Sequence, residues 1–253
     1  TEIFKIASQK MKNYILILIA LVIFPMLNYS YAQNNSIISF DTITVKKYGQ
    51  TFKNGVILDF VYQFVFPTND TPAIKRIREQ MIRSFFGVKS PMPLDQVQRH
   101  YERTVFQDYA TQLPDAGISH QYHNEYSGIT INYDKVLVFY TQSYIFWGGA
   151  HGLEPSLYTC YDLQTGHKIT LQDLFSNANK DKILTMIKHE LIGKYYQEKT
   201  YLTDNFLLLR KGIRFVYNPY QIASYGDGHI VITLPLSKIQ HLLKPCALTY
   251  FEE

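Results

Sequence analysis

The apolar positions of this chain recur with different periods in different stretches. Ile15 to Phe24 is apolar without interruption for ten residues. Ile37 to Val45 then alternates, with β-branched residues at Ile43 and Val45, and predicts a strand. Val56 to Phe66 predicts a second strand, ended by Pro67. At Thr71-Pro72 the period changes, and Ile74, Ile77, Met81 and Phe85 fall three and four residues apart. This predicts a helix with Thr71 as N-cap, Pro72 at its first position and Gly87 as C-cap. Leu94, Val97, Tyr101, Val105 and Tyr109 repeat at helical spacing and predict a second helix, stopped by Pro114.

Alternation returns at Gly128 to Tyr133. Asp134-Lys135 reads as a turn and Val136 to Phe146 as a long apolar strand, so the two runs predict a β-hairpin. Leu157 to Leu163 predicts a further strand, Gln164-Thr165-Gly166 a turn, and Lys168 to Leu171 a short extended piece. Asn179 to Tyr196 predicts an amphipathic helix with Leu184, Ile187, Leu191 and Tyr195 on one face. Ile213 to Tyr217 and His229 to Leu234 close the sheet, and Leu236 to Leu243 makes a short terminal helix. Strands, then helices, then hairpin-linked strands indicate an α+β fold with antiparallel sheets and packed helices. Two sub-domains are expected, 37–133 and 136–243, with a soft boundary near 133–136.

The first apolar run has its own meaning. Lys12 precedes it, Pro25 breaks it, and Ser30-Tyr31-Ala32 is a small-x-small cleavage site. Residues 11–32 therefore read as a secretory signal peptide, with Met11 as the natural start and 1–32 removed on export. An uncleaved anchor is the alternative, although the run is short for a bilayer span. Periplasm or external medium is the expected location, with no stable membrane span after cleavage.

Composition narrows the function classes. The chain has 25 basic and 21 acidic side chains, a balance of +4. Lys5, Lys10, Lys12 and Glu2 leave with the signal, so the mature chain is nearly neutral. That argues against nucleic acid as a partner. Cys160 and Cys246 survive cleavage, and an oxidising compartment permits a disulfide between them. Two free thiols are the ordinary alternative.

Candidate chemistry centres on histidines and glycines. His120-Gln121-Tyr122-His123 is an HxxH spacing that lacks the HExxH pattern of a helical metalloprotease. With Glu125 or His151 it invites a metal reading; solvated loop histidines are the plainer one. His151 sits in Gly148-Gly149-Ala150-His151-Gly152, where glycines let the backbone approach a ligand. As a general base it would need a nucleophile and a carboxylate, with Ser156 and Asp162 nearby in sequence. No GxSxG elbow, GxGxxG turn or P-loop occurs. Asp173-Leu174-Phe175 reads as a buried anchor turn. Tyrosines cluster at 122 and 126, 140 and 144, 195 and 196, and 217, 220 and 225. Exposed Tyr and Trp suit protein or glycan surfaces. Trp147 is the only tryptophan and adjoins the glycine loop.

Three ordered motifs carry a family resemblance. The first is Tyr144-Ile145-Phe146-Trp147-Gly148-Gly149-Ala150-His151-Gly152. The second is Tyr161-Asp162-Leu163 with Thr165-Gly166, Ile169-Thr170-Leu171 and Asp173-Leu174-Phe175. The third is Phe215 and Asn218-Pro219-Tyr220-Gln221-Ile222-Ala223 with Tyr225-Gly226, before Val231 to Pro235. Residues 136–243 resemble the extracytoplasmic domain of the lysozyme-sensing anti-sigma factors of the RsiV type, a domain also paired with a deacetylase in PdaC-type proteins. Residues 37–133 are similar to the companion N-terminal domain of those proteins. Phe146-Trp147 stands where the family usually shows a smaller residue.

The resemblance implies an exported α+β envelope module and, in the RsiV branch, binding of lysozyme. Signal transduction and deacetylation are not carried over. The expected function is a non-catalytic cell-envelope binding module with no cofactor and no metal. Its expected contact face comprises Trp147, Gly148, Gly149, His151, Tyr220 and Tyr225. A lysozyme-like protein or a peptidoglycan fragment is the expected partner. The rival is an envelope glycan or peptide hydrolase using His151 with Asp162 or Glu125.

Overall fold

The computed structural model describes residues 38–111, 119–133 and 135–251. The signal-peptide reading of 1–32 lies outside these residues. Among the described residues no helix is long and apolar enough to cross a membrane.

A six-stranded sheet runs in the order β1 (Phe40–Thr51), β2 (Ile57–Pro67), β3 (His120–Tyr133), β4 (Val136–Phe146), β5 (Ser156–Asp162), β6 (Lys168–Ile169). The α+β class holds. One joint of this sheet, β2 to β3, is parallel; the others are antiparallel. A parallel joint needs a crossover, and two helices supply it: α1 (Pro72–Phe86) and α2 (Leu94–Thr111). The expected seam at 133–136 is the tip of the β3–β4 hairpin, inside this sheet.

The helices form where the pattern placed them. Thr71 Oγ1 accepts the Ile74 N–H at 3.2 Å, and Gly87 ends α1 at φ 66°. Val97, Tyr101, Val105 and Tyr109 of α2 are buried at four-residue intervals. Both helices cover one face of the sheet over Leu58, Phe60, Tyr62 and Phe64 of β2, all at most 1% exposed.

β4 shows how one strand serves two cores. Successive side chains point to opposite faces. Leu137 and Phe139 join the helix-side cluster, whereas Val136 and Val138 join a second cluster behind the sheet. That second cluster is built by the rest of the chain. It includes α3 (Leu171–Leu174), α4 (Asn177–Glu190), and a three-stranded sheet of β7 (Phe206–Leu209), β8 (Gly212–Tyr217) and β9 (Ile230–Pro235). Short helices α5 (Leu236–Ile239) and α6 (Pro245–Leu248) complete it. A capping box between Thr170 and Asp173 opens α3, and Leu174 and Phe175 are fully buried, the anchor turn read in the sequence.

Four expectations change. β3 begins at His120 rather than Gly128, so the polar stretch containing both histidines is strand. β8 and β9 do not close the large sheet; they form a separate one with β7, which the pattern missed. The helix at Asn179–Tyr196 ends at Glu190, and Leu191 leaves helical geometry at φ −104°, ψ 15°. Its buried face is therefore Ile183, Ile187 and Leu191, with Tyr196 buried and Tyr195 exposed. Finally, Cys160 and Cys246 are free thiols, Cys160 buried and Cys246 exposed. Cys160 Sγ instead accepts the Leu208 N–H and donates to the Phe206 carbonyl, tying β5 to β7.

Candidate functional site

The glycine loop leaves the end of β4 and is closed by a two-way backbone bridge between Ile145 and Leu153, at 2.9 and 2.8 Å. Gly148 and Gly149 take φ values of 105° and 92°, which favour glycine. Gly152 lies flat on the Tyr144 ring; a Cβ there would meet a ring carbon at 2.6 Å. The loop therefore folds back over the face of the sheet that carries Tyr144.

On that face His151 is held on three sides. Its Nδ1 lies 3.0 Å from the Gly152 carbonyl, an acceptor, so Nδ1 donates. Nε2 is then left to accept the Tyr220 hydroxyl at 3.0 Å. The ring stacks on Tyr225 at 3.7 Å and 12°. Each partner is itself braced. Among the described residues Tyr220 is the non-glycine residue at positive φ, 69°, an unfavourable conformation for a bulky side chain. The turn around it is pinned by Asn218, whose Oδ1 accepts the Ser156 N–H at 2.8 Å and whose N–H donates to Gln221. Tyr225 begins a single turn (Tyr225–Asp227) closed by Asp227, which accepts from the Ser224 hydroxyl and N–H and from Tyr195. Those hydrogen bonds hold the Asp227 carboxyl below its ordinary range.

Trp147 goes the other way. Its indole N–H donates to the Tyr109 hydroxyl of α2 at 2.8 Å, on the helix-covered face, and its carbonyl accepts from Gln121. The expected contact face is thus divided. His151, Tyr220 and Tyr225 come together, whereas Trp147, 51% exposed, joins a polar chain on the helix-covered face. In that chain Glu125 accepts the Tyr101 hydroxyl, and His123 lies 3.1 Å from Tyr101 and 3.5 Å from Tyr109. Burial raises both tyrosines well above their ordinary values, and the nearby Glu125 raises Tyr101 further.

The other candidates are placed apart from His151. His120 pairs with Asp59 at 3.1 Å and stacks on Tyr122 at 4.9 Å. Three residues apart on a strand, His120 and His123 face opposite sides and cannot converge on one ion. Among the described residues no group of three or more metal-ligating side chains forms. Asp162 accepts the Gln164 and Thr165 N–H groups and the Tyr250 hydroxyl at the far end of β5. Six residue steps along a strand put it about 20 Å beyond Ser156. Glu125 lies across the sheet.

Two tyrosines that the sequence reading left within a general cluster adjoin this site. Tyr144 underlies Gly152, and Tyr122 sits beside Tyr144 at 6.4 Å. Their positions follow from register: Tyr122 pairs with Phe146 and Asn124 with Tyr144, so all four share one face. Period-2 reading would have found them once β3 was started at His120.

Residues 172–237 match the model of a family described as a protein of unknown function, DUF3298. The matched stretch takes in Tyr220 and Tyr225 and begins after the glycine loop. In structure, the chain is similar to a DUF3298 family member from Bacteroides fragilis, with TM-score 0.71 and 21% identity, over 84% of this chain and 97% of that one. A DUF3298 family protein from Pseudomonas aeruginosa aligns with TM-score 0.62 and 17% identity, over 83% and 95%. At these identities the likeness is one of fold. No curated protein matches the chain.

Proposed function

We propose that this chain is an exported, non-catalytic binding module of the cell envelope, in keeping with its resemblance to RsiV-type domains. The contact site is the His151–Tyr220–Tyr225 cluster. The observation that carries the reading is the state of His151. Both ring nitrogens and one ring face are already engaged by a carbonyl, a hydroxyl and a stacked tyrosine. A general base needs a free nitrogen aimed at a proton and a group to orient it. Here the imidazole braces two aromatic side chains instead. Tyr220 is 57% exposed and held in a strained backbone, as expected where a fixed ring meets a ligand.

The hydrolase reading needs Asp162 or Glu125 beside His151, and both hold hydrogen bonds elsewhere. The partners that suit the reading are a lysozyme-like protein or a peptidoglycan fragment. Calorimetric titration with each, followed by mass spectrometry of the fragment, tests it. Binding of one of them, weakened about tenfold by Tyr220→Ala or Tyr225→Ala, with the fragment intact, is expected. No binding to either, or cleavage of the fragment, would overturn it.

A further inference from the structure

The rings of the His151 cluster do not end at the loop. His120 stacks on Tyr122 at 4.9 Å, and Tyr122 lies 6.4 Å from Tyr144. Tyr144 passes beneath Gly152, the residue next to His151. Tyr225 stacks on His151, and Tyr220 is 5.8 Å from Tyr225. Two groups of three rings thus meet at Gly152 and form one row over the face of the large sheet opposite α1 and α2. We propose that this line is a binding track for an uncharged polysaccharide chain, of the N-acetylhexosamine type. The proposal rests on the binding-module reading above and names its ligand class.

Charge decides against the alternatives. A track for single-stranded nucleic acid combines stacking rings with cations for the phosphates. Among the described residues the cation–ring contacts are Lys47 over Phe106 and Arg210 over Tyr133, neither on this line. Of the carboxylates near it, Asp59 is engaged by His120 and the Gly49 N–H and Asp227 by Ser224 and Tyr195, whereas exposed Glu154 lies near Tyr144. Exposed Lys46 shares the cross-strand row of Asn124 and Tyr144, so the flanking free charges are one of each sign and offer neither a polyanion nor a polycation a run of counter-charges.

Hydrogen bonding decides the rest. The hydroxyls of Tyr122 and Tyr144 have no hydrogen-bond partner among the described residues. Burial holds both above the usual tyrosine range, which keeps them protonated at neutral pH. Two amides, Asn124 and Gln142, flank the line at the registers of Tyr144 and Tyr126. A lipid would waste these polar groups. A folded protein calls for a broad apolar centre that closes over water, whereas a sugar presents apolar ring faces and equatorial hydroxyls at once. The outward ring faces of the row, Tyr220 foremost at 57% exposed, with hydroxyls and amides beside them, meet both.

The test is calorimetric titration of the full chain with chitohexaose, chitobiose, a lysozyme and a single-stranded oligonucleotide. Tyr122→Ala and Tyr122→Phe are compared, since Tyr122 lies outside the His151 cluster; circular dichroism checks the fold. The hexamer is expected to bind at least tenfold more tightly than the dimer, because only it spans several rings. Tyr122→Ala should cost the hexamer about tenfold and Tyr122→Phe about threefold or less, following the value of single stacking contacts. Hexamer binding that is indifferent to Tyr122→Ala would overturn the track, as would preference for the oligonucleotide. Lysozyme binding without hexamer binding, sensitive to Tyr225→Ala, would overturn the glycan and leave the binding module standing. Binding of none would overturn both.

Discussion

On the helix-covered face of the large sheet, Tyr62, Tyr101 and Tyr109 are buried, and each hydroxyl has a protein partner: Gln98, Glu125 and Trp147. On the opposite face, Tyr122 and Tyr144 sit half-buried with no such partner, and Tyr220 and Tyr225 are braced against a single imidazole. The residue type is the same on both faces; the accounting of polar groups differs. A buried hydroxyl left unpaired costs about 1–3 kcal/mol, which these three avoid. The open face can leave groups free for another molecule because water reaches them. Buried aromatics belong to the fold, and the half-buried and exposed rings of the open face are the ones open to recognition.

The sharpest way to break this contrast is alkali. Burial raises the hydroxyls of Tyr101, Tyr109 and Tyr161 and pushes the Cys160 thiol up to about 12. These acids are held protonated by the fold, so their contribution is complete below their unfolded values and is lost as pH rises through the folded ones. The chain should hold its stability to about pH 9 and then lose it progressively toward pH 12. Urea midpoints across that range check this, and a flat profile would contradict it.

Next in size is a paired truncation. Phe64→Ala, at a fully buried position on the closed face, should cost about 3–5 kcal/mol. Tyr122→Ala on the open face should cost about 1 kcal/mol or less. Equal shifts in urea midpoint would erase the distinction. A smaller effect is expected at Gly166, where the β5–β6 turn meets α1 at φ 74° and a Cβ would lie 2.3 Å from the Ala73 carbonyl. Gly166→Ala should cost about 1–3 kcal/mol, read as a fall in Tm. Smallest is Tyr109→Phe, which removes the acceptor of the Trp147 indole. About 1 kcal/mol is expected, with a shift in emission of the only tryptophan and unchanged ligand affinity, since Trp147 is anchored across the sheet.

The same contrast explains what the chain let a reader see. Elements with a single buried face were legible: Thr71 and Gly87 bound α1, four-residue spacing gave α2, and the β3–β4 hairpin appeared at Asp134-Lys135. Legibility failed where no water-facing side existed or where the facing side was aromatic. β7, Phe-Leu-Leu-Leu, is buried at its first three positions and shows no alternation. The first half of β3 alternates between polar groups held under α2 and aromatics on the open face, so neither set reads as a core. Within the candidate site, Tyr220, Tyr225 and His151 were named from motif order. The departure of Trp147 to the other face follows from its odd position beyond β4, a parity that the glycines hid.

Oxidative footprinting of tyrosines, read by peptide mass spectrometry with and without chitohexaose, tests the central claim most directly. The account predicts protection at Tyr122, Tyr144 and Tyr220, no change at exposed Tyr201, and a hexamer of unaltered mass. Protection confined to Tyr201, protection nowhere, or a shortened hexamer would contradict it.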